Sequence, residues 1–319
     1  MFRKSLAAGA AFIIAGAALA AYPDKPIRII VPYAPGGNID VTARTVAPGL
    51  TEVLGQPVVV DNRGGAGGRV GTELAARAPA DGYTLLLGSN GPLTMTPAFF
   101  PGISYNTQRD FIPTSTVSIV PIVLSVHPSL PVNDAKQLIA LARQRPAAIT
   151  MASAGTGSTT HMTGELFQLL TGAKFTHVPY KGSGPALIDL VGGQVDIIFD
   201  QISTSQGLIK AGKLRALGVA TGRRSAFLPE VPTMEELGVR NFQASTYTGI
   251  LLPSGTPRDV VQRVYDAVVK VLEQPATRDN FQRLGAEVIR STPEEFVRRM
   301  KGDYERWMKV RQATHIRLE

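Results

Sequence analysis

A repeated order of strand, glycine-rich turn and helix constrains this chain more than any other feature, because that alternation commits it to parallel α/β sheets. Residues 27–31 (Ile-Arg-Ile-Ile-Val) read as a first strand ending in Pro35-Gly36-Gly37-Asn38, with Asn38 as N-cap of the next segment. Val58-Val59-Val60 reads as a second strand, followed by a glycine loop at 62–68. A helix through Leu74 to Arg77 stops before Pro79, and Asp81-Gly82 turns the chain into a strand at 83–87. A second series begins near Pro121 with an extended stretch at 122–126. It continues in a helix at 134–144 carrying Ala135, Leu138, Ile139 and Ala142 on one face. Ile149-Thr150-Met151 then leads into Ser153-Ala154-Gly155-Thr156-Gly157-Ser158 and a helix closed by Gly172. Further strands are expected at 175–178, 195–199 and 214–220.

The last third opens with an extended run at 246–252. Thr256-Pro257 starts a helix with proline at its first position, and Thr292-Pro293-Glu294-Glu295 forms a capping box for the final helix. The stripe of Phe296, Met300, Tyr304, Trp307 and Met308 on that helix reads as packing. No repeat or low-complexity linker separates the halves, which fits domains joined by crossing strands rather than a tether. The expected division is 21–121 with 247–319 as the first domain and 122–246 as the second.

Residues 1–20 stand apart from this pattern. Arg3 and Lys4 precede an apolar run from Leu6 to Leu19, and Ala18-Leu19-Ala20 supplies small residues for cleavage, so a removable export signal is expected. The run is shorter than the roughly 20 residues of a membrane span. With no cysteine in the chain, neither a lipid anchor on that residue nor disulfide stapling is available. The mature protein is expected to be soluble, exported and, in this reading, periplasmic. Its basic balance, +8 for the whole chain, suits anionic solutes, whereas nucleic acid is the weakest partner for an exported protein.

Enzyme signatures fail on inspection. Gly207 to Lys213 imitates a phosphate-binding loop, but Leu214 stands where Ser or Thr should hold magnesium. Gly65 to Gly71 resembles a dinucleotide fingerprint with one residue too many and no acidic partner about 20 positions on. The four histidines form no close ligand pair, so neither metal nor cofactor is expected, and no nucleophile elbow is present. The basic residues of the last helix, Arg298 to Arg311, read as a solvated face. What survives is a pair of loops, Ala34 to Asn38 and Ser153 to Thr159, each running from a strand into a helix N-terminus. Backbone N–H groups and the positive end of the helix dipole favour an anion there, and hydroxyls of Ser153, Ser158 and Thr159 add donors suited to a carboxylate. The bland alternative is that the glycines merely permit tight turns.

Several stretches together resemble one family. They are Tyr33-Ala34-Pro35-Gly36-Gly37-Asn38-Ile39-Asp40, the segment from Gly55 to Arg63, Gly65-Ala66-Gly67-Gly68, and Pro79 to Leu85. Ser153 to Ser158 with His161, His177 to Gly182, Phe199-Asp200 and Pro253 to Pro257 complete the series. The order and extent match the Bug (TctC) extracytoplasmic receptors of tripartite tricarboxylate transporters over nearly the whole mature chain. The resemblance implies a periplasmic-binding-protein-like fold: two α/β domains joined by two crossing strands with a ligand cleft between them. It implies a monomeric receptor, not an enzyme, that passes a small carboxylate to transporter membrane subunits. One carboxylate of the ligand would meet Ser153, Gly155, Gly157, Ser158 and Thr159. Tyr33, Ala34, Pro35, Gly36, Gly37 and Asn38 would face it. Gly82, Tyr83, Ser89, Val178, Pro179, Tyr180 and Lys181 would line the cleft, with Asp200 and Tyr247 on its far side. His161, paired with Glu165 one turn on, is expected to support the loop. A signalling receptor and an enzyme on the same scaffold remain as rival readings. Three positions depart from the family pattern: Pro48-Gly49, expected to kink or break the first helix, Thr246-Tyr247, and Gln201-Ile202.

Overall fold

The structure, a computed structural model, describes residues 22–314; the expected export signal at 1–20 lies outside them. Among the described residues ten strands run in chain order: β1 (Ile27–Val31), β2 (Val58–Asn62), β3 (Thr84–Ser89), β4 (Phe111–Val126), β5 (Ile149–Ser153), β6 (Phe175–Pro179), β7 (Ile197–Gln201), β8 (Arg215–Val219), β9 (Ser245–Pro253) and β10 (Glu287–Val288). The first sheet has the order β2-β1-β3-β9-β4-β10 and the second β8-β4-β7-β5-β6. Within each, the strands followed by crossover helices are parallel, and β4 and β9 enter antiparallel. Helices cover both faces, so Ile27, Ile29, Ile30 and Val31 are all fully buried, which is why β1 reads as a nearly continuous apolar run.

β4 is longer than the sequence suggests, and its prolines explain the difference. Pro113 sits at a register shift opposite β9, where a missing ladder donor is tolerated. Pro121 is the last residue paired with β9, opposite Ser245, and the next residue, Ile122, pairs with Gln201 of β7. The strand therefore changes sheets at a residue that could not have donated to a ladder. β9 makes the return crossing, since Ala244 still donates to Ala220 of the second sheet.

Three local expectations need correction. Helix Asn38–Leu54 runs unbroken through Pro48, and Gly49 is there for packing: a Cβ on it would lie 2.9 Å from both Val271 Cγ1 and Gln274 Oε1. Asn38 is the first helical residue rather than the cap; Gly37 occupies the cap position without a side-chain bond. Pro257 likewise precedes helix Arg258–Glu273 instead of opening it. The capping box at the last helix, Pro293–Thr314, is present, with Thr292 N–H donating to Glu295 (2.9 Å) and Glu295 N–H to Thr292 Oγ1 (3.2 Å). Phe296, Met300 and Trp307 are buried as packing residues.

That helix packs directly on the crossing strands. A Cβ at Gly249 of β9 would sit 2.3 Å from the Phe296 ring and 2.8 Å from the Ser115 carbonyl. Gly249→Val is therefore expected to destabilise the fold by about 1–3 kcal/mol, read as a lowered urea midpoint at unchanged slope.

Candidate ligand-binding cleft

The carboxyl ends of β1, β3, β5 and β7 converge between the two sheets, the usual location of a ligand in open α/β folds. A cavity there is lined from the first sheet's side by Tyr33, Gly37, Asn38, Ile39 and Ser89, and by Thr246 of β9. From the second side it is lined by Ala154, Ser158, Thr159, Thr160, Ser183 and Gln201. No lysine, arginine or ionisable carboxylate is among these residues.

Two helices, Asn38–Leu54 and Thr159–Thr171, begin at this cavity from opposite walls. Their local chemistry leaves the first-turn N–H groups available while occupying the loops that precede them. In the second loop, Gly155 N–H donates to Ser153 Oγ (3.0 Å), Ala154 N–H to Thr160 Oγ1 (2.8 Å), Gly157 N–H to His161 Nδ1 (3.2 Å) and Ser158 N–H to the Gly155 carbonyl (3.0 Å). Ser158 caps its helix by accepting from His161 N–H. In the first loop, Gly36 N–H donates to Asp40 and Ala34 N–H crosses to the Lys181 carbonyl at 2.9 Å. The backbone donors of Asn38, Ile39, Thr159 and Thr160 have no acceptor among the described residues, as the first turn of a helix requires. Two buried side-chain atoms on the cavity wall also lack partners, the donor Asn38 Nδ2 and the acceptor Gln201 Oε1. Buried polar groups without partners are rare, so this wall is built for a polar guest.

The two sides touch. Ser203 donates to Asn38 Oδ1 (2.7 Å), Thr159 Oγ1 to Asn90 Oδ1 (3.0 Å), and Thr96 Oγ1 to the Gly157 carbonyl (3.2 Å). Their backbones meet at glycines: a Cβ on Gly67 would lie 2.1 Å from the Thr156 carbonyl oxygen, and one on Gly184 would lie 2.2 Å from that of Pro35. The enclosed volume is about 20 Å³. That is water-sized and far below the roughly 300 Å³ at which ligand pockets begin. The cleft is shut, with no room for a guest larger than water.

Of the residues expected at the site, Tyr33, Gly37, Asn38, Ser89, Ser158 and Thr159 share this cavity. Ala34, Pro35 and Gly36 form the seam beside it. Ser153, Gly155 and Gly157 shape the loop behind it, and His161 supports that loop as its sequence position suggests. Val178 and Pro179 sit at the end of β6. Tyr180 turns away and donates to Asp189 at 2.7 Å. Gly82 and Tyr83 lie at the opposite end of β3 from Ser89, under Tyr22, whose hydroxyl donates to the Gly82 carbonyl. Tyr247 lies behind β9, edge-on to Phe296. Side chains alternate across a strand, so its neighbour Thr246 faces the cavity instead. Asp200 is fully buried, its Oδ2 accepting from Thr204 (2.6 Å) and Ser205 (2.9 Å). Burial raises its carboxyl above the ordinary range despite those bonds. Sequence reasoning missed Ile39, Ala154, Thr160 and Ser183, with helix position the available signal for Ile39 and Thr160; Gln201 and Thr246, singled out in the sequence as departures on the variable side of the cleft, line the cavity.

Under the second loop, His161 and His177 stack at 3.9 Å, and His177 Nε2 is 2.6 Å from Ser153 Oγ. Because Nδ1 of His161 accepts from Gly157, its proton is on Nε2, which faces Glu165 at 3.6 Å. Burial, aided by the neighbouring ring, lowers His161 to about 3, and burial lowers His177 to about 4. On the other wall, burial works to raise the Asp40 carboxyl, but hydrogen bonds from Arg44, Gly36 N–H and Asn62 outweigh it and hold it below its ordinary value.

A model of the tripartite tricarboxylate transporter family receptor matches residues 42–316. The chain belongs to this receptor family. BugT of Bordetella pertussis is 40% identical over 93% of this chain and 92% of its own. Two solved structures carry ligands in their descriptions. One is an R. palustris protein with adipate (35% identity, TM-score 0.87, 91% of this chain and 97% of that one). The other is MatC from Rhodopseudomonas palustris with bound malate (32% identity, TM-score 0.88, 91% and 99%). The likeness to these structures gives the fold of this chain: two α/β domains with the cleft between them.

The buried histidines couple the stability of this fold to pH. Unfolded histidine titrates near 6.5, whereas His161 and His177 stay neutral in the fold until about 3 and about 4. The unfolded chain therefore binds more protons throughout this window, and stability falls as pH drops below about 6.5. For His161 the loss approaches roughly 1.4 kcal/mol per pH unit. Thermal unfolding between pH 7 and 4 should show this decline, and His161→Asn, whose amide oxygen can replace Nδ1 as acceptor, should make it shallower.

Proposed function

We propose that this chain is a periplasmic solute receptor that closes on a small carboxylate and delivers it, as a monomer, to the membrane subunits of a tripartite tricarboxylate-type transporter. Two helix N-termini facing each other across one cavity carry this reading, because they aim free N–H groups and positive dipole ends at a single point. Recognition by neutral dipoles leaves no cation buried unpaired in the empty cleft. The relatives with adipate and malate support the ligand class. The shift of β4 pairing at Pro121 and Ile122 supports domains of 21–121 with 247–319 and of 122–246. The export-type segment at 1–20 supports the compartment. No described helix is long and apolar enough to cross a membrane.

The ligand acts by touching both domains, so its differential affinity moves the open–closed equilibrium towards closed. The cavity and seam residues named above are assigned to this role, with Ser158, Thr159, Thr160, Asn38 and Ile39 nearest the ligand carboxylate. Calorimetric titration of ligand-free mature protein with aliphatic and aromatic mono-, di- and tricarboxylates should give one saturable 1:1 partner. Silence across the panel would sink the carboxylate assignment.

Two variants separate closure from folding. Gly157 has φ +86°, and a Cβ there would lie 2.7 Å from Thr96 Oγ1, so Gly157→Val should abolish binding of that partner while the far-ultraviolet spectrum is retained. Gly184 shows no positive φ, yet its Cβ would strike the Pro35 carbonyl. Gly184→Ala should weaken binding about tenfold or more, roughly 1.4 kcal/mol, with thermal stability of the unliganded protein unchanged. Undiminished affinity in both would refute the clamp.

A further inference from the structure

Behind the crossing strands lies a second cavity of about 380 Å³, within the size range of small-ligand sites. One wall is a single face of the last helix, with Arg299, Gly302, Asp303 and Arg306 at helical spacing. The facing wall is the turn at Thr221-Gly222 after β8, and the floor is Tyr247 with Asn90. The cavity is therefore bounded by both domains, on the opposite side of β9 from the cleft: Thr246 lines one and Tyr247 the other.

Its chemistry is that of an anion site. Arg299 makes no ion pair among the described residues, and its guanidinium is 5.7 Å from the Tyr247 ring centroid. Arg306 has one distant carboxylate, Asp303 at 3.9 Å, whose other oxygen accepts from Thr94 (2.5 Å). Both guanidiniums are exposed at the rim, with Asp303 the one carboxylate lining the cavity beside them. Tyr247 forms the floor on a side chain only 4% exposed; its buried hydroxyl makes no well-formed hydrogen bond, Thr94 being the polar side chain that acts on it. Gly302 is unusual in the middle of a 22-residue helix, where glycine costs about 1 kcal/mol relative to alanine. Nothing lies within 4 Å of where its Cβ would be, so the missing side chain leaves the cavity open.

We propose that this hinge cavity is a second binding site, for a small dicarboxylate held between Arg299 and Arg306 with the Tyr247 hydroxyl as a third contact, and that it is coupled to the cleft. Domains that rotate about crossing strands part their rear walls as the front closes, so an occupant that fits the closed form opposes opening. Asn90 links the two sites directly. Its Oδ1 accepts from Thr159 at the cleft and its Nδ2 donates to the Ser245 carbonyl at 3.0 Å. Coupling of this kind is reciprocal: each ligand strengthens the other by the same factor.

Trp307, the sole tryptophan, reports on the site, since Arg306 sits 5.5 Å over its ring. Succinate titrated into the mature protein should change Trp307 fluorescence saturably. Gly302→Leu, which fills the cavity and favours the helix, should abolish the response while the melting temperature is kept or raised. Arg299→Gln should weaken it at least tenfold. Gly184→Ala, which props the cleft and narrows the rear, should weaken it more modestly. A parent protein without a saturable response overturns the proposal. So does a response that survives intact in a folded Gly302→Leu, because succinate would then be acting from the cleft.

Discussion

The antiparallel pairing of β4 with β9 sets the geometry on which everything else depends. From Phe111 opposite Pro253 to Pro121 opposite Ser245 the two strands form one ladder, and β4 then carries on into the second sheet. Because the ladder ends where β4 changes partners, Thr246 of β9 and Gln201 of β7 come within hydrogen-bond distance, at 2.8 Å. The ends of β1 and β5 then lie on opposite sides of that contact, and the helices that follow them start facing each other. A carboxyl-end site follows from topology before any side chain is chosen. The same rule separates Ser89, at the carboxyl end of β3, from Gly82 and Tyr83 at its beginning.

Closure of this frame depends on the absence of atoms. At Gly67 and Gly184 the opposing carbonyl oxygens stand about 2 Å from where a Cβ would be, so two backbones approach as no other residue permits. Such contacts bring carbonyls and N–H groups of both domains into reach, as between Ala34 and Lys181. The apolar packing across the domains lies elsewhere, where Met162 meets Met95, Ala98, Phe99 and Trp307 and where Ala154, Ile202 and Leu228 join the first domain's core.

Much of this was legible in the sequence, and the parts that were not have physical reasons. Period and turn chemistry located nearly every strand and helix, since apolar spacing and glycine position report local backbone directly. β4 was half hidden because Pro113 and Pro121 look like strand breakers, and only the register shift and the change of sheets make them tolerable. The two loops were visible as strand–glycine–helix junctions, yet the N–H groups of Gly36, Gly155 and Gly157 are internally bonded, and the free donors lie at the helix starts that follow. Sequence cannot tell which donors a loop consumes. Nor does it show which of two adjacent strand residues faces a cleft: Tyr247 invites attention as an aromatic wall, while Thr246 is the residue on the cavity. Ser183 comes to the site through long-range packing and carries no local mark.

The neutrality of the cleft bears on what can distinguish one carboxylate from another. Asp200, His161 and His177 are the ionisable groups packed closest behind the second wall, and burial biases each towards its uncharged form. No cationic side chain lines the cavity. Under the proposed function, a ligand carboxylate would be met by dipoles fixed at the starts of two helices, which recognise the charge largely irrespective of the remainder of the molecule. Discrimination must then come from the rest of the ligand, meeting Ile39, Ala154, Gln201 and Thr246 as the walls part to admit it. Two of these, Gln201 and Thr246, are positions at which the sequence is expected to depart from the family pattern. On the proposed reading, the class of ligand would be set by the backbone and its identity by these few side chains.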